Sequence, residues 1–189
     1  MKKILTNFLM FVILFTAAFP NAMTKKTNVK KINLAILLDT SNSMDGLINQ
    51  ARQELWRIVN EMAALNKEMT DTKLELSISL FEYGNDGLSS QDHYIRMVDS
   101  LSQDLDIVSE HLFGLVTNGG AEYCGAVIDQ ALAKLDWKND KNAINVIIVA
   151  GNEPFDQGII DYKSVCKKAA AAGIKINTIY CGNPDNSES

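Results

Sequence analysis

An apolar run at residues 32–38, interrupted only by Asn33, is followed at once by the polar sequence Asp39-Thr40-Ser41-Asn42-Ser43. The run does not alternate polar and apolar residues, which is typical of a β-strand covered on both faces. Such a strand favours a sheet with helices on both sides. The loop that follows it brings one carboxylate and two hydroxyls, at alternate positions, to the carboxyl edge of that sheet.

Predicted strands and helices alternate along the rest of the chain. Further strands are expected at residues 74–81, 94–98, 143–150 and 174–180. Helices are expected at residues 46–66, 104–113, 121–135 and 162–172. This order predicts an α/β fold with a doubly wound, Rossmann-like, mostly parallel sheet. Ligands bind such sheets beyond the carboxyl ends of the strands, where we expect the loops at residues 39–43, 117–120 and 151–154.

The N-terminus differs from the rest of the 189-residue chain. Lys2 and Lys3 precede an apolar run at residues 8–19, and Ala22 follows it. This pattern predicts a secretory signal peptide at residues 1–22, and therefore export to the periplasm or the extracellular space. The apolar run is shorter than the roughly 20 residues of a membrane-spanning helix, although an uncleaved tether to the membrane is the alternative.

One domain is expected at residues 32–181, after a polar linker at residues 23–31 and before a disordered tail at residues 182–189. Hydrophobic residues make up 47% of the chain, which is enough for a substantial core. The net charge is −5, and nothing suggests the clustered basic face of a nucleic-acid-binding protein. A nucleic-acid partner is therefore not expected.

The loop at residues 39–43 matches the D-x-S-x-S pattern of the von Willebrand factor type A (VWA) domain, which the chain resembles over residues 31–181. Thr117 and Gly119-Gly120 resemble the family's second loop, and residues 151–154 occupy the place of its third. The resemblance implies a bacterial, exported VWA-like domain. It also implies a further helix after the last predicted strand. Only polar residues follow here, so the domain is expected to lack its C-terminal end and keep an exposed sheet edge.

The resemblance implies a metal ion-dependent adhesion site. In the family, two serines and a threonine bind a divalent cation directly, whereas acids act mostly through water. By position, Ser41, Ser43 and Thr117 are the implied direct ligands, and Asp39 is the implied outer acid. Mg²⁺ is the expected cofactor, with Mn²⁺ or Ca²⁺ as alternatives. Because hydroxyls are neutral, the ion is expected to take an Asp or Glu carboxylate from a protein partner.

The third loop departs from the family pattern. Gly151 stands where the family usually has an aspartate. Asn152 and Glu153 are weaker candidate ligands for this place, and water is the alternative. The loss of one negative charge is expected to weaken metal binding, so Gly151→Asp is expected to tighten it if the site is real.

Other polar residues near the loops have simpler interpretations. Glu122 and Glu153 could each be a ligand, but both are interpreted as solvated loop residues, and Asp45 is interpreted as an acid at a helix start. If no metal binds, Ser41 and Ser43 are expected to cap the helix that follows them.

The chain has three cysteines, and export implies an oxidising compartment. Cys124 and Cys181 are expected at the same end of the sheet, so a disulfide between them is the preferred pairing. Cys166 falls within a predicted helix and is expected to be a buried free thiol. His93 and His111 fall in separate segments, so a zinc site is not expected.

The leading hypothesis is a non-enzymatic, metal-dependent adhesion or protein-binding module. A metal-free structural scaffold is one alternative, which Gly151 keeps open. A hydrolase with Ser41 as its nucleophile is another, although no G-x-S-x-G elbow surrounds that serine and no histidine is placed to activate it. Dinucleotide binding is disfavoured because no G-x-G-x-x-G follows the first strand.

Overall fold

The computed structural model describes residues 28–68, 72–137 and 142–182. The predicted signal peptide at residues 1–22 lies outside the described residues, as do residues 23–27 of the predicted linker and residues 183–189 of the predicted tail. In the described part of the chain, no helix is long and apolar enough to cross a membrane.

The strands form one five-stranded sheet in the order β3-β2-β1-β4-β5. Their bounds are β1 (Asn28–Asp39), β2 (Thr72–Tyr83), β3 (Ile95–Ser102), β4 (Ile144–Gly151) and β5 (Ile174–Tyr180). β1 pairs in parallel with β2 and β4, and β5 pairs in parallel with β4, whereas β3 is antiparallel to β2. The predicted α/β fold with a mostly parallel sheet is confirmed.

Helices cover both faces of this sheet. They are α1 (Ile48–Glu68), α2 (Leu105–Gly114), α3 (Cys124–Lys134) and α4 (Tyr162–Ala171). α1 and α2 enclose one core against the sheet, and α3 and α4 enclose a second core on the opposite face. In β1, Ile36 and Leu38 point into the first core, whereas Ala35 and Leu37 point into the second. This double burial explains why the first apolar run lacks polar alternation.

One polar residue of the run, Asn33, is accommodated by a partner on the neighbouring strand. Its Nδ2 atom donates to Oδ1 of Asn145 at 2.9 Å, and Asn145 Nδ2 donates to the carbonyl of Trp137 at 3.1 Å. Both amides thus have hydrogen-bond partners inside the fold, as buried polar groups require.

β1 begins at Asn28, so the predicted linker ends earlier than expected. Residues 28–31 pair with residues 72–75 of β2, and this backbone pairing extends the strand into a polar segment. From β1 the chain builds the sheet outwards through β2 and β3, and then returns to the other side of β1 for β4 and β5. The loops after β1 and β4 therefore meet at the reversal of strand order, where ligands bind in such sheets.

Candidate functional site

Asp39 is the last residue of β1, and its side chain is fully buried. Its Oδ1 atom accepts a hydrogen bond from the backbone N–H of Ser41 at 2.8 Å. Its Oδ2 atom is buried and has no hydrogen-bond partner among the described residues. A buried carboxylate oxygen without a partner is costly, so this atom marks a place that needs a proton or a cation.

The two serines of the first loop form a chain of hydrogen bonds with the third loop. The Ser41 and Ser43 hydroxyl oxygens lie 2.9 Å apart. The Ser43 hydroxyl donates to Oδ1 of Asn152 at 2.9 Å, and Asn152 Nδ2 donates to the Ser43 carbonyl at 3.2 Å. The structure therefore brings Ser41, Ser43 and Asn152 together. Ser41 precedes a short 3-10 turn but makes no side-chain cap bond, so the capping alternative is not realised at this serine.

The second loop lies against the first. The backbone N–H of Asn118 donates to the Thr40 carbonyl at 2.9 Å. The Thr117 hydroxyl donates to Oδ1 of Asp45, which places Thr117 beside the first loop. Asp45 lies in the turn before α1 and not in its first helical turn, so its interpretation as a helix-start acid is corrected. Its role in the structure is to hold the threonine hydroxyl.

Gly151 packs tightly against Tyr83 and Asp39. A Cβ atom at Gly151 would lie 2.6 Å from the Tyr83 hydroxyl oxygen and 3.1 Å from Oδ2 of Asp39. Any side chain here would therefore have to displace the tyrosine or the carboxylate. No sequence motif points to Tyr83, because its place follows from the pairing of β2 with β1, in which Tyr83 is opposite Asp39.

The site carries negative charge. Burial raises the pKa of Asp39 to about 6, an effect that hydrogen bonds from Ser41 partly oppose and that Glu122 and Glu153 reinforce. Burial also raises the pKa of the Tyr83 hydroxyl well above its ordinary value, and the Asp39 charge adds to this shift. A divalent cation bound here would favour the ionised form of Asp39 and lower its pKa again.

Glu122 is 9% exposed, so its interpretation as a solvated loop residue is wrong. It precedes α3 in the second loop, and its backbone N–H donates a hydrogen bond to Oε1 of Gln157 at 3.3 Å. Glu153 of the third loop is half-buried. α3 begins at Cys124 and not at residue 121 as predicted, so Glu122 lies in the same loop as Thr117, five residues further along.

The donors of this site fit a small, hard divalent cation. They are the hydroxyls of Ser41 and Ser43, the nearby hydroxyl of Thr117 and the unpartnered oxygen of Asp39. Oxygen donors suit Mg²⁺ and Ca²⁺, whereas structural zinc sites are built from Cys and His. Within the described ranges, no group of three or more His, Cys, Asp or Glu residues is placed to hold a metal ion. Hydroxyls would therefore have to supply part of the ion's shell.

Cys124, Cys166 and Cys181 are free thiols. Cys124 lies in the core under α3 and α4, whereas Cys181 packs against the core on the opposite face of the sheet. The predicted Cys124–Cys181 disulfide is therefore not formed in the structure and is not confirmed. Cys166 is free, as expected, but it is half-buried rather than buried.

Three solved structures illustrate the similarity of the fold. An aerotolerance-related membrane protein from Bacteroides fragilis NCTC 9343 is 17% identical, with a TM-score of 0.55, over 82% of this chain and 69% of that one. The pilus adhesin SpaC from Lactobacillus rhamnosus GG, in an open conformation, is 14% identical, with a TM-score of 0.61, over 87% of this chain and 26% of that one. Proximal thread matrix protein 1 from the mussel byssus, with a zinc-occupied MIDAS motif, is 10% identical, with a TM-score of 0.63, over 81% of this chain and 38% of that one.

At these identities the similarity shows the fold alone, and this chain spans 26% of the adhesin and 38% of the byssus protein. No curated protein matches the chain significantly. The family model of the von Willebrand factor type A domain matches residues 33–188, which is most of the chain. The strand order and the D-x-S-x-S loop agree with that match. The chain therefore belongs to the von Willebrand factor type A domain family.

Proposed function

We propose that this chain is an exported, divalent-metal-dependent protein-binding module that is not an enzyme. The expected ion is Mg²⁺, with Mn²⁺ or Ca²⁺ as alternatives. The partner would present an Asp or Glu carboxylate to it. The residues that would hold the ion, directly or through water, are Asp39, Ser41, Ser43 and Thr117, with Asn152 and Glu153 as weaker candidates.

The unpartnered Oδ2 atom of Asp39 is the observation that carries this proposal. It is buried at the end of β1, directly before a loop whose two serine hydroxyls are already aligned 2.9 Å apart. Without a cation, the carboxyl is held by burial at a pKa of about 6. A divalent ion would compensate the charge of ionised Asp39. No other described group donates a hydrogen bond to its Oδ2 atom.

The chain's own groups define what the bound ion would do. When bound, the ion supplies an electrophilic centre that can accept a carboxylate oxygen. Ser41 and Ser43 are neutral donors, so they leave most of its charge uncompensated. The Thr117 hydroxyl would have to exchange its bond to Asp45 for one to the ion. An acidic side chain from a partner then provides the charge that the hydroxyls lack.

Exposed apolar side chains near the loops favour a protein partner. Val116, directly before Thr117, is 70% exposed, and Ile159, in the segment between β4 and α4, is 91% exposed. Exposed apolar side chains can supply the apolar contact area of a protein interface. Among the similar folds is a pilus adhesin, which agrees with a binding role in the cell envelope or outside the cell.

A binding role also agrees with the surroundings of Ser41, the one serine considered as a nucleophile. Its hydroxyl bonds to Ser43. His111 instead pairs with Asp99 at 2.8 Å, and His93 packs edge-on against the ring of Tyr123. Nucleophilic catalysis by serine needs a base within hydrogen-bond reach, and both histidines are engaged elsewhere.

Calorimetric titration with Mg²⁺, Mn²⁺ and Ca²⁺ tests the metal claim. We expect the wild type to bind at least one of these ions, and the variant Ser41→Ala with Ser43→Ala to lose that binding. Ser100→Ala with Ser164→Ala is the matched control, because both of these serines are exposed and lie outside the loops. Equal binding by the loop variant and the control would contradict the proposal, and so would a wild type that binds none of the ions.

The partner claim has its own test. A library of random short peptides can be selected on protein saturated with the ion that binds, and eluted with EDTA. We expect the eluted peptides to share an Asp or Glu, and single Asp→Asn or Glu→Gln replacements to abolish their binding. Peptides that stay bound in EDTA would instead favour the metal-free scaffold.

A further inference from the structure

Glu122 enters the candidate metal site from the second loop. A Cβ atom at Gly84 would lie 3.0 Å from Oδ1 of Asp39, 3.2 Å from Cγ of Glu122 and 3.3 Å from Cβ of Ser41. These three side chains therefore converge on the one space that Gly84 leaves open. Glu122 is buried there, at 9% exposure.

This arrangement concentrates negative charge without a matching positive charge. The ion pairs formed between described residues, such as Arg96 with Glu82 and Lys168 with Asp129, do not include Asp39 or Glu122. Burying two neighbouring carboxyl groups without a counter-charge is costly. The unpartnered Oδ2 of Asp39 is the independent sign that a cation belongs in this space.

The place where the family usually has its third-loop aspartate is closed to a side chain. The Tyr83 hydroxyl lies 2.6 Å from the position of a Gly151 Cβ. An acid at that position would collide with the tyrosine, so the missing charge has to come from another residue. Glu122 is a buried acid of the second loop that lies close to the Asp39–Ser41 pair beside Gly84.

We infer that Glu122 supplies the negative charge that Gly151 cannot, and that its carboxylate faces the bound ion together with Asp39. The acid of this site has moved from the third loop to the second. The inference rests on the proposed function, since it assigns a residue of this chain to the same ion.

Titration of the full chain with Mn²⁺, by calorimetry and by the metal-induced shift in melting temperature, tests this role. The variant is Glu122→Gln, which keeps the size of the side chain and removes its charge. We expect its Kd for Mn²⁺ to rise at least tenfold and its metal-induced shift to shrink. Glu110→Gln, a change at an exposed position on α2, is the matched control and should leave both quantities unchanged.

The melting temperature in EDTA separates this role from a purely structural one. Removing one of two close buried charges should leave the metal-free melting temperature of Glu122→Gln equal to that of the wild type, or raise it. Glu122→Asp, which keeps the charge on a shorter side chain, should bind Mn²⁺ more tightly than Glu122→Gln.

Three outcomes would overturn the inference. The first is an unchanged Kd in Glu122→Gln while the wild type binds Mn²⁺, which leaves the proposed function intact. The second is equal weakening by Glu122→Gln and Glu122→Asp with a lower metal-free melting temperature, which indicates packing rather than charge. The third is a wild type that binds no Mn²⁺, Mg²⁺ or Ca²⁺, which removes the proposed function as well.

Discussion

The hydroxyl of Tyr83 occupies the space beside Gly151, 2.6 Å from where a Cβ atom of that glycine would stand. Tyr83 ends β2 and Gly151 ends β4, the two parallel strands that flank β1, and Asp39 ends β1 between them. This contact explains why the third loop has no acid at its first position. It also changes the expected result of restoring one.

Gly151→Ala should destabilise the metal-free protein by about 1–3 kcal/mol, because its Cβ overlaps the Tyr83 hydroxyl. The free energy of unfolding can be measured in urea. In a Tyr83→Phe background the same substitution should cost less, since the colliding oxygen is gone. Gly151→Asp should likewise lower the free energy of unfolding of the metal-free protein. This loss would accompany any gain in metal affinity. Equal costs of Gly151→Ala in both backgrounds would contradict the contact.

The stability of the metal-free protein should depend on pH through Asp39. The pKa of this carboxyl is raised from 3.8 to about 6 in the folded state, so the folded protein holds the proton more tightly than the unfolded chain. The free energy of unfolding should therefore fall as the pH rises through this range, by at most about 3 kcal/mol. Urea unfolding in EDTA at several pH values measures this slope.

Asp39→Asn should flatten that slope and make the metal-free protein more stable at neutral pH, because the amide carries no charge to bury. Its Oδ1 atom can still accept the Ser41 N–H. The matched control is Asp156→Asn, which removes one charge at an exposed loop position. A slope that stays the same in Asp39→Asn would show that another group causes it.

Thr117 should matter through its hydroxyl rather than its methyl group. Thr117→Val keeps the shape of the side chain but removes the oxygen, so we expect the Kd for Mn²⁺ to rise at least tenfold. Thr117→Ser keeps the oxygen and should bind nearly as well as the wild type. In EDTA, Thr117→Val loses the hydrogen bond to Asp45, which should lower the free energy of unfolding by only about 1 kcal/mol. Similar Mn²⁺ affinities of the Thr117→Val and Thr117→Ser variants would show that the Thr117 hydroxyl does not bind the ion.

The cysteines should react with iodoacetamide in an order set by burial. Burial raises the pKa of Cys124 to about 12 and that of Cys181 to about 11, so both hold little thiolate near neutral pH. Burial also raises the pKa of Cys166, but by less, so Cys166 should be alkylated first and the fully buried Cys124 last. Mass spectrometry of the native protein reads out the order. A peptide pair linked through Cys124 and Cys181 would instead revive the predicted disulfide.

The sequence predicted the elements and the first loop well because both depend on local signals. The apolar run before Asp39 is buried on both faces in the structure, as its lack of alternation indicated. Thr117 was located by its place in the second loop, and it does lie beside the first. In each case, neighbours in sequence carry the information.

The positions of Tyr83 and Glu122 in the site depend on long-range contacts that the sequence pattern does not show. Tyr83 reaches Asp39 through strand pairing, and Glu122 reaches the same space because Gly84 leaves room for it. The predicted pairing of Cys124 with Cys181 is not formed in the structure for a similar reason. Both lie near one end of the sheet, but they pack on opposite faces, which a one-dimensional pattern does not show.

The sequence by itself determined the α/β class, the family and the loop that begins the site, because periodicity and the D-x-S-x-S spacing are local properties of the chain. Only the tertiary structure decided which acids share the site. Strand order and close packing bring Asp39 and Glu122 together, and the Tyr83 hydroxyl excludes a side chain at Gly151. The distribution of charge around the expected ion is thus a consequence of packing.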